Sequence, residues 1–479
     1  MRDPNSSFLL SPISSSICLF KIHAAKICRR QFLHPQAQYD IFLPAGRLFL
    51  SKIPHFHGLT GCLGFKWKKN SMVIQRLASR YMSLSAKKSA KDRKPSVVRS
   101  GGIDKELDVA SSRKPFYDAR VLYCVAAAMG HNKDAHPESN KRVPAITNAL
   151  ERLELTPKYR SREVYELQNF KPALLDDIAV VHARSYIHGL EKAMSKAMDE
   201  GIIFIDGSGP TYATETTFEE SLIAAGAGIS LVDAVVEASR VNYNPPIGFA
   251  LIRPPGHHAV PKGPMGFCVF GNIAVAARHA QRVHGLQRVL IIDFDVHHGN
   301  GTCDAFYDDP DIFFISTHQD GSYPGTGKME QVGQGSGEGA TLNLPLPGGS
   351  GDSSMRSVFD EVIVPCAQRF KPDIILVSAG YDAHALDPLA GLQFTTGTYY
   401  MLASNIKQLA KELCHGRCVF FLEGGYNLQS LSNSVADTFR AFLGEPSLAS
   451  QFDDPTMLYE EPLLRVQKAI QKVKHIHYL

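Results

Sequence analysis

Short apolar runs of strand length alternate along the chain with longer stretches of helical spacing. The runs fall at 120–124, 178–182, 247–252, 288–292, 312–316, 374–378 and 418–422. Val289-Leu290-Ile291-Ile292 and Ile374-Ile375-Leu376-Val377 carry no polar alternation, as strands covered on both faces require. Such strands belong to a parallel sheet, and the helix-like segments 219–239, 272–284 and 354–369 are long enough to be its right-handed crossovers. The pattern predicts an α/β fold of three layers, α/β/α, with a central, mainly parallel sheet over residues 116–445. The group Cys414-His415-Gly416-Arg417-Cys418 reads as a helix-to-strand turn. Segment 321–351, with ten Gly, reads as a pocket-forming loop; it lacks the Gly-Lys-Ser/Thr ending of a phosphate-binding loop. Beyond the sheet, 446–479 reads as a helical tail, with Leu463, Leu464, Val466, Ile470 and Val473 spaced as one face of a docked helix.

Composition changes this picture at the N-terminus. The 479 residues are 44% hydrophobic and 20% charged, which excludes wholesale disorder and collagen-like repeats. No stretch reaches the roughly 18 consecutive apolar residues of a membrane-spanning helix. The net charge of +4 hides two regimes. Residues 1–91 hold 15 Lys and Arg against Asp3 and Asp40, together with 12 Ser, whereas the remainder carries 36 bases and 45 acids. An acidic body is a poor partner for phosphate backbones, so direct nucleic-acid binding is not expected. The basic, Ser-rich, acid-poor leader has the composition of an organelle transit peptide. Residues 1–90 are therefore expected to direct import, to the chloroplast before the mitochondrion, with a leader retained in the cytosol or nucleus as the alternative; 91–115 is expected to be a linker. Nine Cys with no C-x-x-C pair indicate neither a disulfide framework nor a thiolate zinc site.

The chemistry collects where apolar runs end. After Ile252 comes Arg253-Pro-Pro-Gly-His257-His258; after Ile292, Asp293-Phe-Asp295-Val-His297-His298-Gly-Asn300; after Ser378, Ala379-Gly-Tyr-Asp382 through Asp387-Pro388; after Leu422, Glu423-Gly-Gly-Tyr426-Asn427. Open α/β sheets bind ligands at the carboxyl ends of their strands, so these clusters are expected to share one crevice. Asp295 and His297, two apart in extended chain, can face one metal, and Asp387 can supply a third ligand. Two carboxylates and one imidazole nearly neutralise a divalent cation and leave a position open, as catalytic Zn²⁺ requires. His257 and His258 sit after a Pro-Pro-Gly turn. A carboxylate such as Asp293 would hold one imidazole charged, and an amide such as Asn300 would orient the other without adding charge. Tyr426, after Gly424 and Gly425, has a hydroxyl able to donate to an oxyanion and a backbone permissive enough to swing it inward.

These motifs, with Gly266-Phe267-Cys268, resemble the zinc-dependent histone deacetylases and acetylpolyamine amidohydrolases of the arginase/deacetylase fold over about 116–445. Asn300 and the Arg-Pro-Pro-Gly form resemble the class II branch, and the leader resembles that of its plant, organelle-targeted members. The resemblance implies Asp295, His297 and Asp387 as zinc ligands, His258 as general base and then acid, and His257 as its electrostatic partner hydrogen-bonded toward Asp293. Tyr426 would polarise the acetyl carbonyl. Gly266, Phe267 and Tyr323 would wall the acyl tunnel, where the family more often has Phe in place of Tyr323. His136-Pro137-Glu138 would border the mouth, and Asp293, Asp295, His297 and Ser316 would hold a structural K⁺. The implied substrates are acetyl-lysine in proteins or small acetylated amines such as N-acetylserotonin, with acetylpolyamines as the alternative. A two-manganese ureohydrolase on the same fold needs Asp-x-His-x-Asp, whereas Gly299 stands two after His297. A catalytically silent acetyl-lysine scaffold would be expected to lack Tyr426, His258 or a ligand. Oligomeric state is not legible.

Overall fold

The computed structural model describes residues 114–205 and 210–479. The leader expected at 1–90, and the linker up to 113, lie outside the described residues. Among the described residues ten strands occur in chain order: β1 (Val121–Ala126), β2 (Val164–Glu166), β3 (Ile203–Phe204), β4 (Tyr212–Ala213), β5 (Ile247–Ile252), β6 (Val289–Asp293), β7 (Ile312–Gln319), β8 (Thr341–Leu346), β9 (Ile374–Ala379) and β10 (Cys418–Leu422). Eight of them form one sheet in the order β2-β1-β5-β10-β9-β6-β7-β8, every neighbouring pair parallel. β3 and β4 make a separate antiparallel pair.

Side-chain alternation divides each central strand between two cores. In β6, Leu290 and Ile292 join one apolar cluster, and Val289 and Ile291 the other; in β9, Ile375 and Val377 face the first, Ile374 and Leu376 the second. The first core is closed by α1 (Arg142–Arg152), α6 (Asp352–Val358), α7 (Val364–Phe370), α8 (Thr396–Cys414), α9 (Leu428–Leu443) and α10 (Leu463–His477). The second is closed by α3 (Thr217–Ser239), α4 (Asn272–His284) and α5 (Asn300–Phe306). A smaller cluster joins α2 (Arg184–Glu200) to Val269 and Phe270. The result is the three-layer α/β/α arrangement, with strands buried on both faces because helices cover both. Terminal helix α10 buries Val466, Ala469, Ile470 and Val473.

Four elements depart from the expectations. Segment 178–182 is no strand: a helical turn, Leu175–Ile178, is succeeded by a bend. His182 there bridges two loops, its Nδ1 3.1 Å from Val260 O and its Nε2 accepting from Gly271 N at 2.9 Å. Edge strands β2 and β8 were not anticipated. β8 lies inside the Gly-rich stretch and contains Pro345, which an edge tolerates. The expected helix 354–369 is two helices joined by a π turn, Phe359–Ile363. Among the described residues α3 alone is long and apolar enough to cross a membrane, by length and composition. Here it is a core helix, with Ala224, Leu231 and Val235 buried against the sheet.

Gly226 in α3 marks the closest approach of that helix to the 170–173 loop. A Cβ there would stand 2.0 Å from Lys171 O and 2.6 Å from Ala173 N. Gly→Ala in a helix ordinarily stabilises by about 1 kcal/mol. Gly226→Ala should instead destabilise, by about 2 kcal/mol or more, because the obstacle is backbone. A thermal melt reads the sign, and a raised midpoint would mean that the loop gives way.

Candidate active site

All eight main-sheet strands run the same way, so their carboxyl ends, and the loops after β5, β6, β9 and β10, lie along one edge. Asp293, Asp295 and Asp382 are fully buried there, and Glu423 nearly so. Backbone N–H groups answer them across loops: Gly424 N donates to Asp295 Oδ2 at 2.9 Å, Val296 N to Asp382 Oδ1 at 3.0 Å, and Gly256 N to Glu423 Oε2 at 2.7 Å. Such approaches exclude side chains. A Cβ on Gly380 would fall 2.0 Å from Asp295 Oδ2, and one on Gly424 2.1 Å from Asp382 Oδ2. The Gly-Gly pair before Tyr426 is thus a close-packing requirement at Gly424, while Gly425, at φ +117°, makes the turn. It is not a hinge.

The adjacent histidines have unlike partners. His257 Nδ1 lies 3.0 Å from Asp293 Oδ2, and His258 Nδ1 lies 2.7 Å from Asn300 Oδ1. Asn300, whose Nδ2 reaches Met265 Sδ at 3.3 Å, presents its carbonyl oxygen, so His258 carries its proton on Nδ1 and leaves Nε2 free to accept. Burial opposes charge on both rings, but Asp295 and Asp293 override it for His257 and hold its pKa well above the ordinary value. For His258, burial together with the charges of His257 and His297 drives the pKa well below it. Two neighbouring imidazoles are thereby separated into a charged and a neutral one.

His297 Nδ1 sits 3.1 Å from both Asp295 Oδ1 and Asp382 Oδ2. Burial works against protonation, yet the two carboxylates lift its pKa to about 10. Asp295, His297 and Asp382 form a group whose donor atoms all lie within 4.8 Å of one another. Asp387, expected from the sequence as the third ligand, is not in this group, where Asp382 stands instead: it is turned to backbone, its Oδ2 accepting from Tyr426 N at 2.7 Å and its Oδ1 from Leu389 N at 2.9 Å. Burial and the charge of Asp382 raise its pKa. Burial likewise raises Glu423, to about 7. The ion partners of Asp293, Asp295 and Asp382 are His257 and His297. This concentration of dry carboxylates is what a divalent cation would relieve, and oxygen donors with one imidazole suit an open catalytic site. A second buried group, His257 with Cys268 and Glu423, offers no comparable set, because burial pushes the Cys268 thiol well up and it stays neutral.

Aromatic rings line the approach. Tyr323 meets His258 edge-on at 5.2 Å between centroids; Phe267 meets Tyr426 at 5.8 Å and His136 at 4.6 Å. Gly266, at φ +55°, permits this, since a Cβ would fall 2.5 Å from His258 Cδ2. Arg142 stacks over the Tyr426 ring at 5.2 Å and donates to Gly425 O at 2.7 Å. Ser316, paired in register with Asp293, places its Oγ 2.9 Å from His318 Nδ1. Asp382 and Glu423 are site groups that fall in the strand-end clusters of the sequence without an assigned role, Glu423 directly after β10 and Asp382 three residues after β9. The sequence reading also missed Asp453, for which no local signal exists: Asp453 takes His384 Nε2 at 3.2 Å and Thr396 N at 2.8 Å, while His384 Nδ1 accepts from Leu386 N in the loop bearing Asp387.

A histone deacetylase domain model matches residues 136–442. The chain is 73% identical over 384 residues to "Histone deacetylase 10, chloroplastic" of Oryza sativa subsp. japonica, covering 80% of this chain and 86% of that protein. It is 73% identical over 362 residues to "Histone deacetylase 14, chloroplastic" of Arabidopsis thaliana, covering 76% and 86%. Among solved structures, the HDA15 HD domain superposes with a TM-score of 0.63 at 31% identity, covering 74% of this chain and 95% of that one.

Asn300→Asp sets a carboxylate against His258 Nδ1, which favours the imidazolium; the acid limb of the kcat/KM profile should move up by about 1–3 pH units, and an unmoved limb would disconnect Asn300 from the titrating base. Asp453→Ala should weaken divalent-metal affinity roughly tenfold through the His384 loop, as read by metal titration; affinity equal to the native protein would leave Asp453 only a tail contact.

Proposed function

The chain belongs to the histone deacetylase family, and from that premise we propose that it is a zinc-dependent amidohydrolase that removes acetyl groups from amines in the chloroplast. One observation carries the reading: a neutral and a charged imidazole side by side, held by Asn300 and Asp293, next to a buried carboxylate cluster fit for a divalent cation. Asp295, His297 and Asp382, whose donor atoms converge, would hold Zn²⁺, while Asp387 ties the loop that follows to the backbone of Tyr426 and Leu389. When bound, Zn²⁺ supplies Lewis acidity to the acyl oxygen and to water.

The remaining work falls to the protein. His258 takes the proton of the attacking water at Nε2, because its Nδ1–H is committed to Asn300. The positive charge on His257 keeps His258 a weak enough base to give that proton to the departing amine as the C–N bond breaks. Tyr426 keeps its own proton, since burial and then the charge of Asp382 raise its pKa far above the phenol value, and its O–H donates to the oxyanion of the tetrahedral intermediate. Arg142, bonded to the backbone on both sides of Gly424, fixes where that hydroxyl points. Phe267, Tyr323 and Gly266 would wall the passage of a slender acetylated alkylamine, with His136, in ring contact with Phe267, at the outer end. A structural K⁺ at Asp293, Asp295, His297 and Ser316 would add a second positive charge beneath the buried acids. The chloroplastic names of the two plant relatives support reading 1–90 as a transit peptide. Substrates of this shape are acetyl-lysine in proteins and small acetylated amines such as N-acetylserotonin.

His258→Ala and Tyr426→Phe should each lower kcat by about 10²–10⁴-fold with zinc content and circular dichroism unchanged. Rates within a factor of three of native would sink these roles. Amine release from an acetyl-lysine peptide, an acetylpolyamine and N-acetylserotonin, assayed side by side with a hydroxamate control, selects the substrate class. Inactivity toward all three in zinc-replete protein would overturn the acetyl-amide assignment.

A further inference from the structure

Away from the catalytic crevice, two helices of the second layer bring together another set of metal-capable groups. Asp233 is on α3, and His279 and His284 are on α4. His279 Nε2 and His284 Nε2 each lie 2.6 Å from one oxygen, Asp233 Oδ1, and the three donor atoms are within 4.8 Å of one another. The two rings stand 5.6 Å apart at 74°, so their nitrogens converge on a point and do not stack. Helix periodicity does not produce this, since side chains five apart are turned about 140° from each other. It depends on His284 being the last residue of α4, before left-handed Gly285, where its ring can fold back toward α3.

We propose that Asp233, His279 and His284 form a second, structural site for a late first-row divalent ion such as Zn²⁺, clipping α3 to α4. Two imidazoles and one carboxylate favour such an ion over Mg²⁺ or Ca²⁺, which take mainly oxygen donors. The imidazole side chains are 13% and 11% exposed and that of Asp233 is 47% exposed, which leaves shielded nitrogens and an open carboxylate side through which an ion and its remaining waters can enter. Metal–ligand bonds of about 2.0–2.2 Å set neighbouring donors about 3.3 Å apart. The 2.6 Å contacts therefore open slightly on binding, by rotation of the half-exposed Asp233. Two cations oppose the ion: Lys114, whose charge reaches Asp233, and Arg240. Arg240 lies 3.5 Å from His284 Nδ1 and, by donating there, keeps the ring proton on Nε2 facing Asp233. Metal at Nε2 moves that proton to Nδ1, and Arg240, exposed at the C-cap of α3, swings away.

The full chain, stripped by chelator and titrated with Zn²⁺, tests this by metal content and thermal midpoint. His279→Ala/His284→Ala should bind one equivalent less than the native chain and lose part of the Zn²⁺-induced rise in midpoint. Combined with Asp295→Asn in the catalytic cluster, the two losses should add, which separates this site from the catalytic one. Uptake equal to that of the native chain would overturn the proposal. Should the double variant fail to fold, near-isosteric Asp233→Asn carries the test: the same equivalent should bind roughly tenfold more weakly or less tightly still, and unchanged affinity overturns it. Arg240→Ala should tighten that equivalent; weaker binding would count against the site.

Discussion

Keeping several carboxylates dry and close together is the constraint on which the rest of this structure rests. Asp293, Asp295, Asp382 and Glu423 are 0–1% exposed at the carboxyl edge of the sheet, where isolated charges would be prohibitively costly. They persist because each is fastened to a loop other than its own. Gly424 N ties the β10 loop to Asp295, Val296 N ties the β6 loop to Asp382, and Gly256 N and His257 N tie the β5 loop to Glu423. Ser378 Oγ on β9 adds a bond to Glu423. The acids that make the crevice attractive to a cation are also the pins that hold its loops in register, so metal binding and loop geometry are one electrostatic problem.

The same economy separates the two histidines. Nothing in His257 and His258 as residues distinguishes them; one is held charged by carboxylates and the other kept neutral by an amide and by its charged neighbour. Behind them a buried ion network secures the mouth. Burial raises the pKa of Glu138, but Arg253 and Arg142 outweigh it and bring the carboxyl to about 2. Glu138 accepts from Arg253 at 2.5 Å and from Arg142 at 3.1 Å, and Arg142 continues to Gly425 O beside Tyr426. The loop bearing His136 is thus mechanically continuous with the tyrosine that faces the acyl group.

Much of this is legible in the chain alone. Unbroken apolar runs such as Val289-Leu290-Ile291-Ile292 mark strands covered on both sides, and each such run ends in groups able to bind metal or move protons. The reading failed where burial is one-sided or context borrowed. β2 has only three residues, β8 hides among glycines, and the apolar run at 178–182 packs as a turn because its side chains serve the satellite core of α2 and not the sheet. Asp382 and Glu423 are in plain view within the motifs, yet the meeting of Asp382 with Asp295 and His297, and of Glu423 with the β5 loop, depends on contacts across the edge. Asp453 and His384 meet from 69 residues apart, which no local pattern records.

Local pattern sufficed for the parallel sheet, for six of its eight strands and for the residue types delivered to their ends, because periodicity and strand burial depend only on neighbours within a segment. The pairings belong to the packed fold. His257 meets Asp293 across 36 residues, His258 meets Asn300 across 42, Val296 meets Asp382 across 86 and Gly424 meets Asp295 across 129. Charge state and tautomer are set by distances of a few ångströms and by exclusion of water, and both come into being only when the loops are packed together.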